Sequence, residues 1–250
     1  MSAPPATALA WAAADPYDAA LRAGRGPLFL RRTDGWLLPL EVERWCARAD
    51  PVDRDVLDRC EGTVLDVGCG PGRLVAELAA RGRTALGIDV SEAAVEHTVR
   101  LGGQAIRRSV FERLPGDGRW DTVLLMDGNI GIGGDPDALL ERVAGLLRPG
   151  GLLIAETAPT DIDERVRVHI TDAHATSSAP FPWARLGTRA LLRYARGHWE
   201  QDGQWTAGGR RFAALRNRSA SSSAEPPKRT AVISSQRVRN TSGGRPVPER

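Results

Sequence analysis

The stretch Val64-Leu65-Asp66-Val67-Gly68-Cys69-Gly70-Pro71-Gly72-Arg73-Leu74 constrains the fold more than any other part of the chain. Val64, Leu65 and Val67 are β-formers and read as a short strand buried on both faces. Glycines then stand at every second position. They open backbone dihedrals closed to other residues and leave no Cβ in the way of a ligand. Pro71 suits the first turn of a helix, and an apolar helical pattern runs from Gly72 to Arg81. Strand, glycine bend and helix N-terminus together form a site for a nucleotide-like ligand.

Spacing narrows the ligand. A dinucleotide site needs G-x-G-x-x-G facing a pyrophosphate. Here the pattern is G-x-G-x-G, preceded by Asp66. An acid beside the bend repels phosphate and can hold an ammonium group. A second apolar run, Ala85-Leu86-Gly87-Ile88, ends in Asp89, placed to bind a ribose diol.

D-V-G-C-G-P-G followed by G-I-D-V-S resembles the first two motifs of the class I S-adenosylmethionine-dependent methyltransferases. The resemblance continues through Trp120 to Asp127 and the Leu146-Leu147-Arg148-Pro149-Gly150-Gly151 turn. It implies a doubly wound, Rossmann-like α/β sheet of about seven strands, mostly parallel with a C-terminal antiparallel hairpin strand, in three αβα layers. The implied cofactor is S-adenosyl-L-methionine, held by Asp66, Gly68, Cys69, Gly70, Gly72, Asp89, Val90, Ser109, Val110 and Asp127. In many family members an acid at about the position of Ser109 accepts a hydrogen bond from the adenine amino group, and this chain departs from that pattern. Asp127 and Asn129 are expected to face the reacting sulfonium. Asp127, His169 and His174 are the candidate bases. An NAD(P)-dependent oxidoreductase and a cofactor-binding module without turnover remain as alternative readings.

Three strand ends, carrying Asp66/Gly68, Asp89 and Asp127/Asn129, should share one rim of an open parallel sheet. Glu156 and Thr157 should end a fifth strand on the same rim. His97 reads as a packing residue and Cys69 as a small filler in the bend. His169 and His174 lie among several acids, but five positions apart, which is not the spacing of a helical metal-ligand pair, so no metal site is assigned.

Three domain segments are expected. Residues 1–59 form an N-terminal helical lid, with Leu38, Val42 and Trp45 on one helix face. Residues 60–216 form the cofactor-binding domain, in which 161–182 is an irregular loop, 183–194 a helix and 198–215 a hairpin turning at 206–209. Residues 217–250, rich in Ser, Pro and Arg, cannot offset their ordering entropy and read as a disordered tail, as do residues 1–14.

Of the net charge of +3, the stretch from Arg216 to Arg250 contributes +6, with eight Lys/Arg against two Glu, so the first 215 residues carry −3. A domain-wide nucleic-acid footprint is therefore not supported. No apolar run approaches the ~20 residues that span a bilayer. Three scattered cysteines fit a reducing cytoplasm. Abundant arginine beside a single lysine, Lys228, suggests a GC-rich bacterial genome. The partner expected is a small-molecule methyl acceptor; the sequence fixes no oligomeric state.

Overall fold

The computed structural model describes residues 15–218. From the N-terminal side, α1 (Pro16–Ala23) leads into β1 (Leu28–Arg32) and β2 (Leu37–Leu40), then α2 (Val42–Cys46) and α3 (Pro51–Asp58). Strands and helices then alternate: β3 (Val64–Val67), α4 (Arg73–Ala80), β4 (Ala85–Asp89), α5 (Glu92–Arg100), β5 (Ala105–Arg107), β6 (Trp120–Leu125), α6 (Pro136–Leu146) and β7 (Leu147–Thr157). The chain continues through β8 (Asp163–Asp172), β9 (Phe181–Leu186), α7 (Thr188–Tyr194), β10 (Trp199–Ala207) and β11 (Arg210–Asn217).

Seven strands form one sheet in the order β10-β11-β7-β6-β3-β4-β5. Neighbours from β7 to β5 pair in parallel, and β11 runs antiparallel to both β7 and β10. The parallel strands therefore end on one rim, as the sequence implies. Alternation along each strand explains the layers. Leu65, Val67, Val123, Leu125, Leu153 and Ala155 pack with Leu139, Leu140 and Val143 of α6 and Ala190 and Leu191 of α7. Val64, Leu124, Met126, Leu152 and Ile154 pack with Val56 and Leu57 of α3 and Leu74, Val75 and Leu78 of α4. By the same alternation Asp66 belongs to the α3/α4 face, which sets its surroundings.

Helix starts follow the sequence. Asp15, Asp50, Ser91 and Asp135 cap α1, α3, α5 and α6 through their side chains, and Asp50 with Asp53 completes a capping box.

The segments flanking the central motif differ from expectation. The expected helical lid holds α1, α2 and α3, but also β1 and β2, which join β8 and β9 in a second sheet, four-stranded and antiparallel, in the order β2-β1-β8-β9. Leu38 pairs with Leu30 across β1 and β2, so only Val42 and Trp45 of the expected helix face are helical, in α2. Gly35 (φ +90°) allows the turn that makes 28–40 a hairpin. The expected 161–182 loop contains β8, where Arg165-Val166-Arg167-Val168-His169-Ile170 alternates as a half-buried strand does. The expected 183–194 helix is β9 up to Leu186, and helical only from Thr188. Asn217, expected in the tail, ends β11 opposite Trp199. The rest of that tail from 219 onward, and residues 1–14, lie outside the described residues.

Candidate cofactor and methyl-transfer site

The bend after β3 folds over the end of β4. The N–H groups of Gly68 and Cys69 donate to the Ile88 carbonyl at 2.8 and 3.0 Å. The Gly70 N–H donates to Asp89 Oδ2 at 2.9 Å, and the Ser91 N–H donates to Asp89 Oδ1 at 2.9 Å. Gly68, Gly70 and Gly72 all have positive φ, of +70°, +53° and +85°. Their roles differ. A Cβ on Gly68 would lie 2.6 Å from the Asn129 amide nitrogen, and one on Gly72 would overlap the Thr98 side chain. Those two glycines make room for protein atoms, contrary to the expectation that all three clear space for a ligand. A Cβ on Gly70 would meet only the Tyr17 hydroxyl, at 3.5 Å. Gly70 is buried beneath that hydroxyl, without the overlap that a Cβ would meet at Gly68 and Gly72.

Asp66 is 2 % exposed, and its Oδ2 is buried without a hydrogen-bond partner. Burial pushes its carboxyl up to about 7, against the pull of Arg73. Burial likewise raises Asp89 to about 6, although the N–H groups of Ser91 and Gly70 favour its ionised form. The Cys69 thiol is buried beside Gly70 and Thr98, and burial holds its pKa well above the ordinary value. It fills space as expected and is no nucleophile.

Asp127 departs from its expected role. Its left-handed backbone (φ +56°) turns the chain out of β6, and its N–H donates to Glu156 Oε2. Its carboxylate accepts from Arg73 Nη1 and Arg44 Nη2, both at 2.7 Å, with Arg210 Nη2 at 3.6 Å. Arg73 and Arg210 also hold Asp53, which has no exposed side-chain surface, and Arg210 makes a two-armed pair with Glu156 at 2.9 and 2.7 Å. Three carboxylates and three guanidiniums thus form one inward cluster beneath the rim. Burial opposes the charge on Asp127, and Arg73 and Arg44 overcome it, keeping the carboxyl below the usual range. Burial also works against Asp53, yet Arg73 and Arg210 bring it to about 2. A carboxylate committed in this way is a structural anion and a poor base, so the catalytic assignment of Asp127 is withdrawn.

Asn129 opens a 3-10 turn (Asn129–Gly131), and its amide donates to the Val67 and Gly68 carbonyls at 2.9 and 2.8 Å. It braces the bend, and its nitrogen is spent on that backbone. His169 pairs with Arg31 in the second sheet. Its neighbours Val168 and Ile170 face the cluster with α1 and α5, so His169 belongs to the opposite face, away from the bend, and is no base for this site. His174 is exposed in the β8–β9 turn. No group of three or more metal-ligating side chains occurs among the described residues.

Ser109, Val110 and Val90 are the remaining residues expected to hold the cofactor. Ser109 is half-buried, and its hydroxyl accepts from the Phe111 N–H while its own N–H donates to Glu112 Oε2 at 2.7 Å. Val110 is 3 % exposed, and Val90 is half-buried, its carbonyl bonded to Arg107 Nε.

The inner face of the second sheet lies over this region. An isolated bridge joins Ile132, just after the 3-10 turn, to Trp183 of β9. Trp36 is half-buried, with the guanidiniums of Arg32 and Arg185 at 5.9 and 4.5 Å from its ring centre. From α1, Tyr17 stands edge-on to Trp45 of α2, ring centres 6.4 Å apart. Sequence reasoning passed over Arg44, Asp53 and Arg210, and left Arg73 without a role. One signal was readable: Arg73 puts a cation in the first turn of a helix, where the dipole disfavours it unless acids are near.

Residues 64–151 match the family described as "Methyltransferase domain". Over these residues the chain is similar to a methyltransferase domain. Among curated relatives, the ubiquinone biosynthesis O-methyltransferase of Nitrosomonas europaea is 31% identical over 117 residues, covering 44% of this chain and 49% of that protein. The protein of the same name from Caulobacter vibrioides is 37% identical over 115 residues, covering 42% and 45%. The chain thus matches about half the length of these relatives. Among solved structures, a methyltransferase from Bacteroides fragilis in complex with S-adenosyl-L-homocysteine superposes with a TM-score of 0.69 at 22% identity, covering 82% of this chain and 95% of that one. That likeness shows a shared fold over most of the chain.

Proposed function

We propose that the chain transfers a methyl group from S-adenosyl-L-methionine to a small-molecule acceptor. The observation that carries this reading is the buried, unpartnered Asp66 Oδ2 on the strand that leads into the glycine bend, with Asp89 on the next strand end bonded to the Gly70 N–H. A buried acceptor without a donor costs about 1–3 kcal/mol, which a ligand's ammonium group can recover. A pyrophosphate at the same place would meet two acids, which disfavours a nicotinamide dinucleotide. Bound, the cofactor supplies an electrophilic methyl on a sulfonium. Asp66 would orient the amino end and Asp89 the ribose hydroxyls, while Tyr17 covers Gly70. Half-buried Trp36 and Trp183 offer flat apolar surface for an acceptor under the second sheet. In-line positioning supplies most of the rate in such a transfer, so the chemistry does not require Asp127 as a base. The three free cysteines support a place in a reducing bacterial cytoplasm; no helix among the described residues is long and apolar enough to cross a membrane.

Two experiments bear on this. Incubated with S-adenosylmethionine labelled at the methyl and a small-molecule bacterial extract, the protein should place label in a compound of low mass. Binding of S-adenosylhomocysteine with no labelled product would leave a cofactor-binding module instead. The glycines give a contrast. Gly72→Ala combines a left-handed backbone with overlap onto Thr98 and should cost about 3 kcal/mol of unfolding free energy. Gly70→Ala carries the backbone penalty alone, about 1 kcal/mol, but should weaken S-adenosylhomocysteine more than Gly72→Ala does. Urea unfolding and calorimetry read the two effects separately.

A further inference from the structure

Two donors on α2 have no partner. Arg44 Nε and Nη2 are both engaged by Glu41, and Nη2 also reaches Asp127, which fixes the guanidinium plane. Its Nη1 is buried with no acceptor among the described residues. The indole N–H of Trp45, the next residue, is buried and unpartnered as well. Few such atoms exist in the described chain: Asp15 Oδ2, in the cap of α1; Trp205 Nε1, on a ring stacked against Phe212 in the C-terminal hairpin; and three at or beside the bend, namely Arg44 Nη1, Trp45 Nε1 and Asp66 Oδ2.

Contacts tie the two donors to the bend. Trp45 stands against Tyr17, and the Tyr17 hydroxyl lies 3.5 Å from where a Cβ on Gly70 would be. Arg44 shares Asp127 with Arg73, the first residue of the helix that leaves the bend. One orphaned acceptor and two orphaned donors are thus linked to the bend, the donors through Tyr17 and through Asp127 and Arg73. An α-amino acid end presents the complement: an ammonium group needing an acceptor and, one carbon away, a carboxylate needing donors.

We propose that Arg44 Nη1 and Trp45 Nε1 clamp the carboxylate of the cofactor's amino-acid end. This rests on the methyl-transfer reading above and adds to it that a segment N-terminal to the matched domain completes the cofactor site. A guanidinium fork already held on one side by Glu41 and Asp127 presents its free N–H in a fixed direction. Trp45 adds a second N–H from the same short helix. The role of α2 is then positioning: it fixes the amino-acid end and with it the sulfur.

The test compares S-adenosylhomocysteine with its decarboxylated analogue, which keeps the ammonium and the adenosine. Wild-type protein should prefer the carboxylated ligand at least tenfold by calorimetry. Trp45→Phe removes the N–H and keeps a ring against Tyr17; it should cut that preference several-fold with little change in affinity for the analogue. Adding Arg44→Gln should bring the two ligands within about twofold. Thermal unfolding of Trp45→Phe checks that the fold is retained. A preference unchanged in Trp45→Phe and in the double variant, or a wild type that binds both ligands equally, overturns the clamp and leaves methyl transfer standing. A change in acceptor KM without a change in ligand preference would assign the two donors to the acceptor and also overturn it. Wild type that binds neither ligand removes both readings.

Discussion

Arg73→Met is expected to destabilise the protein by about 3–5 kcal/mol, the range for breaking a buried ion pair from one side. Arg73 is 5 % exposed and joins Asp53, with no exposed surface, to Asp127. Without it three carboxylates face two guanidiniums, Arg44 and Arg210, in a space that water barely enters. Methionine replaces most of the side-chain volume, so the effect is one of charge and hydrogen bonding. For a domain of this size the midpoint of thermal unfolding should fall by roughly 10 °C. The pH dependence has a stated sign. The folded-state pKa of Asp53 is depressed to about 2, so its contribution to stability is present above about pH 4 and is lost as pH falls toward 2. Arg73→Met should weaken that acid transition as well. A loss below 1 kcal/mol would show that Arg210 and Arg44 alone neutralise the cluster.

The parts of the fold set by local patterning were legible in the sequence. Val64 to Val67 reads as a strand because it is apolar on both faces, and the caps at Asp15, Asp50, Ser91 and Asp135 follow from short polar side chains placed before Pro or an apolar run. The second sheet was legible only in part. Its β8 alternates from Arg165 to Ile170, but its acids and histidines also suit a loop, and Leu37-Leu38-Pro39-Leu40 suits either class until β1 is seen beside it. The charge cluster was not legible, because its members come from distant parts of the chain. Arg73 meets Asp53 twenty positions away and Asp127 fifty-four away, while Arg210 meets Asp53 across 157 positions. Nothing local marks Asp127 as a structural anion. Its place at a strand tip suits a catalytic acid equally well, and only the three guanidiniums decide between the two.

The second large effect is the pH dependence of cofactor binding, and it is set by Asp66. In the ligand-free protein burial holds this carboxyl at about 7, so it is largely protonated at pH 6. An ammonium group at Oδ2 favours the ionised form, so binding below pH 7 must release a proton. Each pH unit below 7 then costs up to 1.36 kcal/mol, or tenfold in affinity. Asp89, at about 6, adds a second proton below that pH when ribose hydroxyls donate to it. Stability runs the other way. A raised carboxyl pKa means the folded state binds more protons than the unfolded one between about pH 4 and 7, so the ligand-free protein loses stability as pH rises through that window. Asp66→Asn removes the buried charge. It should therefore be more stable than wild type at pH 8 while binding S-adenosylhomocysteine at least tenfold more weakly, a trade expected of a functional group kept at a cost.

Calorimetric titration of wild type and Asp66→Asn with S-adenosylhomocysteine, from pH 5.5 to 8 in buffers of different ionisation heat, tests the central claim most directly. The account predicts one site in wild type, affinity rising about tenfold per unit from pH 6 to 7, more steeply below pH 6 and level above 7, between one and two protons released at pH 6, and a flat, weaker profile above pH 6.5 in the variant. Wild type that shows no binding, or that binds with an affinity independent of pH and matched by Asp66→Asn, would contradict it.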